Sequence, residues 1–189
     1  MKIFAVYFRI VLTKKPDWFS EFREKFKTNS ILHVTLIQPR YSSEDDIPRI
    51  QRIVGEVLNR NVFTDEDKKL YFDTLASGPE SDGRYVFMLC ARENPALVHF
   101  QKDLLVSLQD FQQYCDDATR DYETRFRVHI TIGANIDSSR KDEAERYFMS
   151  DYGCEGEVTN LVLPFVKNIS IEETENPQNL TVFALDTKT

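Results

Sequence analysis

The order of predicted elements starts again near the middle of this chain, and that repetition narrows the folds open to it. In the first half, apolar alternation predicts a strand over Lys2 to Leu12, and Trp18, Phe19, Phe22 and Phe26 recur at helical spacing. A strand around His33 follows and closes at Pro39. Ile47, Ile50, Ile53, Val54, Val57 and Leu58 then mark a second helix, and a further strand runs around Leu70 to Leu75. After the turn-rich "SGPESDG" the order resumes with a strand, "RYVFMLCAR", and a helix from Pro95 to about Phe111. A polar segment from Gln112 to Thr124, expected as a loop over the groove, leads to a strand around His129. A short helix with Ala144, Tyr147 and Phe148 and strands near Val158–Val166 and Leu180–Leu185 complete the chain. Both halves read strand, helix, histidine strand, helix, strand, with halves of about 1–79 and 80–189. A pseudo-twofold relation between them would set the two histidine strands face to face across one groove.

Those two strands are "ILHVTLIQPR" and "FRVHITIGAN". Residues two apart on a strand share a face, so His33 and Thr35 point one way while Leu32, Val34 and Leu36 point the other. His129 and Thr131 share a face in the same manner, and Arg127 and Arg125 have their parity. Such a surface fits badly in a core, where each unpartnered polar group costs on the order of 1–3 kcal/mol. As the wall of an anion-binding groove it is coherent. Imidazole gives or takes a proton near neutral pH. One neutral ring can deprotonate an attacking water while the other, as imidazolium, protonates a leaving oxygen. Thr35, Thr131 and Arg127 would bind the non-bridging oxygens. A single His-x-Thr in an apolar strand is most often chance; two copies at matching positions are not easily so explained.

Composition sets outer limits. The 189 residues suffice for one domain with a sizeable core, and 41% apolar with 12% aromatic residues fits a packed globular chain. The net charge of −7 argues against binding a long nucleic-acid duplex, leaving small or short anions as partners. Three widely spaced cysteines form neither a disulfide framework nor a thiolate zinc site, which suits a reducing cytoplasm. Arg9 interrupts the apolar start, and no stretch approaches the roughly 20 apolar residues of a membrane span.

"HVTL" and "HITI" match the paired signature of the two-histidine (2H) phosphoesterase superfamily: histidine, any residue, threonine or serine, an apolar residue. The element order of nearly the whole chain resembles its bilobal fold, in the branch called 2′-5′ RNA ligase or RNA 2′,3′-cyclic phosphodiesterase. The resemblance implies an α+β domain with two mainly antiparallel sheets around a central groove and helices on the outer faces. It implies His33 and His129 as the catalytic pair, Thr35 and Thr131 as phosphate holders, and neither metal nor cofactor. Many relatives carry a proline before the second histidine and an arginine soon after the motif. Here Val128 precedes it and Gly133, Ala134 and Asn135 follow Ile132, with Arg127 placed to supply the cation from the other side.

The expected activity is therefore metal-independent hydrolysis of a 2′,3′-cyclic phosphate or 2′,5′-phosphodiester on a nucleotide or short RNA end, by a cytoplasmic monomer. The alternatives are a module that binds such an end without turnover, and ligation in the reverse direction. Candidate substrate contacts are Arg40 at the groove mouth, Tyr41 and Tyr7 as stacking platforms, and Arg125. Arg9 is read as either a strand end or a groove-facing cation. His99 lies off its helix's apolar stripe and is expected in solvent.

Overall fold

The computed structural model describes residues 1–28, 30–80, 82–149 and 153–185. In chain order the elements are β1 (Lys2–Lys14), α1 (Trp18–Lys25), β2 (His33–Ser42), α2 (Ile47–Arg60), β3 (Lys69–Pro79), β4 (Tyr85–Ala91), α3 (Pro95–Ser107), α4 (Arg120–Thr124), β5 (His129–Ile136), α5 (Lys141–Glu145), β6 (Cys154–Val166), α6 (Ile171–Thr174) and β7 (Leu180–Ala184). Local chemistry accounts for several boundaries. Asn94 caps α3 by accepting from the Leu97 backbone N–H at 3.1 Å, and Pro95 sits at its first position, where no N–H is needed. In β1 the even positions Phe4, Val6, Phe8 and Ile10 are buried, while Ile3, Ala5, Tyr7 and Arg9 face the other side. Among the described residues no helix is long and apolar enough to cross a membrane.

The mainly antiparallel α+β architecture follows the sequence pattern, but the two expected sheets are joined into one. The strand order is β2-β1-β6-β3-β4-β5, with β7 also on β6, and every pairing is antiparallel. The length of β6 is the reason. Of its 13 residues, Glu155 to Val166 span the pairing with β1, and the first four, Cys154 to Glu157, pair with β3.

Space does not divide at the turn where the element order restarts. That turn closes a hairpin, with Pro79 opposite Tyr85; its Ser81 lies outside the described residues. The β1-β2 lobe is completed by β6 and β7 from the second half, and the β4-β5 lobe by β3 from the first. The helices exchange likewise. Phe100 of α3 stacks on Phe8 of β1 at 5.4 Å, while Phe22 of α1 packs against Phe87 of β4 and Phe148. One continuous apolar core lies on the helical side of the sheet, and each lobe draws on both halves of the chain for it.

The right-handed twist of neighbouring strands accumulates along this path. As a result β2 and β5, the outermost strands, come alongside each other. At its far end β2 gains a further partner: Tyr41 N–H donates to the Gln113 carbonyl and Cys115 N–H to that of Pro39. The segment from Gln112 to Thr124 is thus sewn to the outer edge of β2. Its Asp116, Ala118, Thr119, Asp121 and Tyr122 share an open cleft with Glu80, Asp82 and Asn135, a cleft that neither histidine lines, so this part of the segment does not roof the groove as expected.

Candidate active site

Alternation along β2 turns His33 and Thr35 away from the core that Val34 and Leu36 enter, and β5 does the same with His129 and Thr131 against Ile130 and Ile132. Across the ladder, Arg9 lies opposite His33 and Tyr7 opposite Thr35. Cys90 lies opposite His129 and Met88 opposite Thr131. The Tyr7 ring packs on His33 with centroids 4.9 Å apart. Neither threonine hydroxyl has a protein partner among the described residues.

Both imidazoles are held in the same way. His33 Nδ1 lies 2.8 Å from the Ile31 carbonyl, and His129 Nδ1 lies 2.7 Å from the Arg127 carbonyl. A carbonyl oxygen can only accept, so Nδ1 donates in each ring. The neutral tautomer then carries its lone pair on Nε2, which has no protein partner among the described residues in either case. The two rings are close enough for the charge of His129 to weigh on His33.

The surroundings of the two rings differ in sign. Burial is the main cause that pushes both pKa values below the ordinary 6.5, opposed in each by the hydrogen bond to the backbone carbonyl. Beyond that, the Glu175 carboxylate favours the charged form of His33, while the Arg127 guanidinium disfavours that of His129. Glu175 enters through Oε1, which accepts from the Ile31 N–H at 3.0 Å, next to the carbonyl that holds His33.

Residues 14–164 match the sequence model of the 2′-5′ RNA ligase superfamily. The chain belongs to the 2′-5′ RNA ligase superfamily. This agrees with the resemblance to two-histidine phosphoesterases that the His-x-Thr strands carry, and the family suggests an enzyme of phosphoesterase or ligase type. No curated protein matches the chain. Among solved structures, one described as a phosphoesterase aligns at 12% identity and TM-score 0.47, over 98% of this chain and 95% of that one. LigT from E. coli, in its apo form, aligns at 13% identity and TM-score 0.46, over 98% and 96%. At this level of likeness no residue or activity passes from them to this chain.

Within this superfamily member the remaining sequence candidates separate. Tyr7 is in the site, and Arg127 is exposed beside His129. Arg9 is on the groove face of β1, opposite His33 and bonded to the Tyr7 hydroxyl. Arg40 is not at the groove mouth. Pro39 falls where the β1–β2 register shifts, between the Val6–Ile37 and Phe4–Arg40 pairs, so β2 tolerates it and runs on to Ser42, which turns Arg40 into the core opposite Phe4. There its guanidinium pairs with Glu123 at 2.6 Å and donates to the Phe111 carbonyl at 2.8 Å, both side chains 2% exposed or less.

Tyr41 is about eight residues along β2 from His33, roughly 26 Å at about 3.3 Å per residue. It lines a cleft with Arg49 and Asp110 instead. Arg125 is displaced for another reason: α4 ends at Thr124 and Arg125 caps it, so strand alternation has not begun and its parity with His129 has no meaning. It faces Glu80 and Asp82 across an open cleft. His99 is exposed beside Asp103. Gly133, in place of the relatives' pattern after the motif, has a packing cause. A Cβ there would sit 2.9 Å from both the Phe22 ring and Ile136 Cδ1, so α1 can reach β5 only over a glycine.

Glu175 was not among the sequence candidates. It stands in an acid-rich stretch, "IEETENPQ", that reads as solvated surface, and no spacing links it to His33.

Proposed function

We propose that this protein hydrolyses a 2′,3′-cyclic phosphate or 2′,5′-phosphodiester on a nucleotide or short RNA end. The observation that carries this reading is the pair of imidazoles, from opposite ends of one sheet, each anchored through Nδ1 and each free at Nε2. With the phosphorus between them, His129 takes a proton from water at Nε2 as the water oxygen bonds to phosphorus. The P–O bond to the ribose oxygen breaks, and that oxygen takes the proton from His33 Nε2. His33 is assigned the acid because Glu175 supports its imidazolium; His129 is assigned the base because Arg127 opposes one there. The Thr35 and Thr131 hydroxyls donate to the non-bridging oxygens, with Arg127 supplying positive charge. No step uses a metal. A chain of net charge −7 suits a small substrate better than a long duplex.

A panel of nucleoside 2′,3′-cyclic phosphates, 2′,5′ dinucleotides and cyclic-phosphate-terminated RNAs, assayed in chelator, tests the reading. Turnover of at least one class, unchanged by chelator, is expected. Tight binding with no turnover of any would leave a binding module.

The dependence of kcat/KM on pH should be bell-shaped, rising as His129 loses its proton and falling as His33 loses its own. Because burial holds both rings below 6.5, the optimum for the free enzyme is expected on the acid side of that value. Glu175→Gln removes the charge that supports His33 and should draw the falling limb to lower pH. Arg127→Met relieves His129 and should move the rising limb to higher pH. An optimum above neutrality, or limbs that ignore both substitutions, would count against the assignment.

A further inference from the structure

Beside His33 a cleft of about 290 Å³ opens on the groove face of the sheet. Its floor is Ile3 and Ala5 of β1 and Val166 of β6; its roof is the stretch that follows β6, through Ile169 and Ile171. His33, Thr35 and Tyr7 form its inner wall, so it is continuous with the place assigned to the phosphate. We infer that this cleft is the subsite for the nucleobase of the substrate, and that Glu175 selects a base bearing an exocyclic amino group. The inference rests on the reading of the groove as a phosphodiester site.

Three observations lead to this occupant. First, Ile169 and Ile171 are 65% and 52% exposed, and Ile31, on the same rim, 39%. Large apolar side chains at the surface around a cleft leave an apolar body to be covered. Second, no lysine or arginine lines the cleft among the described residues, and Glu175 places a carboxylate in its wall. A second phosphate, or the continuing backbone of a nucleic acid, would be repelled there, so the group that enters is uncharged. Third, Glu175 Oε1 is engaged by the Ile31 N–H, while Oε2 has no protein donor among the described residues. An alkyl chain would leave that oxygen unanswered. An aromatic ring with an amino group satisfies it and covers the isoleucines together. The volume lies near the lower end for small-molecule pockets, roughly 300 Å³, enough for one ring system and not for a chain of nucleotides.

Binding by calorimetry decides the matter without relying on turnover. Cytidine and uridine 2′-monophosphates differ at the ring position where one has an amino group and the other a carbonyl. The wild-type protein should bind the cytidine compound about tenfold more tightly, the scale of a hydrogen bond to a charged group. Glu175→Gln should abolish that ratio even if altered charge near His33 changes both affinities. Ile171→Trp, at a half-exposed position that tolerates a large side chain, should weaken both nucleotides by about tenfold or more and leave inorganic phosphate unaffected. Equal binding of the two nucleotides by the wild type, or undiminished binding by Ile171→Trp, overturns the inference. Failure to turn over any cyclic nucleotide would fall on the proposed reaction alone, since the binding ratios are read separately.

Discussion

Replacing His33 or His129 by alanine is expected to lower kcat by about 10²–10⁴-fold, the usual contribution of a positioned acid or base. In the proposed reaction, without His33 the ribose oxygen must leave as an alkoxide, and without His129 an undissociated water must attack. The double variant should be little slower than the worse single variant, because the two groups act in one transition state and their losses do not add. Steady-state rates on a cyclic nucleotide, alongside calorimetric binding of the product, separate this from damage to the fold. Binding should persist, and the unfolding transition should move little, since both rings are partly open to solvent and, among the described residues, hold one hydrogen bond each, to a carbonyl two residues upstream. Turnover near the wild-type rate in either variant would remove that histidine from the chemistry.

The largest effect on stability is expected at Glu123. Its Oε1 accepts from the Gln38 N–H at 2.6 Å, and its Oε2 takes both the Arg40 guanidinium and the Tyr114 hydroxyl. Gln101 donates from its side-chain amide to the Glu123 and Leu36 carbonyls. Glu123→Ala strands a buried guanidinium, and removing one partner of a buried pair typically costs about 3–5 kcal/mol. Arg40→Met with Glu123→Leu removes both charges and should recover part of that loss. The Gln38 N–H and Tyr114 hydroxyl would still lack their acceptor, so recovery should be incomplete. Urea unfolding of the two single variants and the double variant measures the coupling. Additive losses would show that the pair does not act as a unit. The network also bears on the site. Gln38 follows His33 on β2 and Glu123 lies in α4, which leads into β5, so the same carboxylate ties the first histidine strand to the helix that precedes the second.

Much of the site was legible because strand alternation is a local property of the backbone. It needs no knowledge of the rest of the molecule to place His33 with Thr35, and His129 with Thr131, on faces opposite their apolar neighbours. The same reasoning misplaced Arg125, since alternation holds only where the strand exists, and α4 displaces its beginning to His129. It misplaced Arg40 because Pro39 reads as a stop, whereas the proline sits at a register shift in the β1–β2 ladder, where the strand tolerates it and continues. The exchange of strands and helices between the halves left no trace in the order of elements, because that order is the same whichever partners the strands choose.

From the sequence alone came the two His-x-Thr strands, the face each presents, the helices that cover the opposite side, and the superfamily. Only the tertiary structure decided that the outermost strands of one sheet meet, and that the Glu175 carboxylate stands near His33, whereas Arg127 beside His129 was already legible. The physical reason is range. Periodicity is set by bonds between neighbours, whereas the coiling of a sheet and the charges that gather around a ring are set by pairings between residues far apart in the chain; Ile31 and Glu175, joined by one hydrogen bond across 144 positions, are the plainest instance.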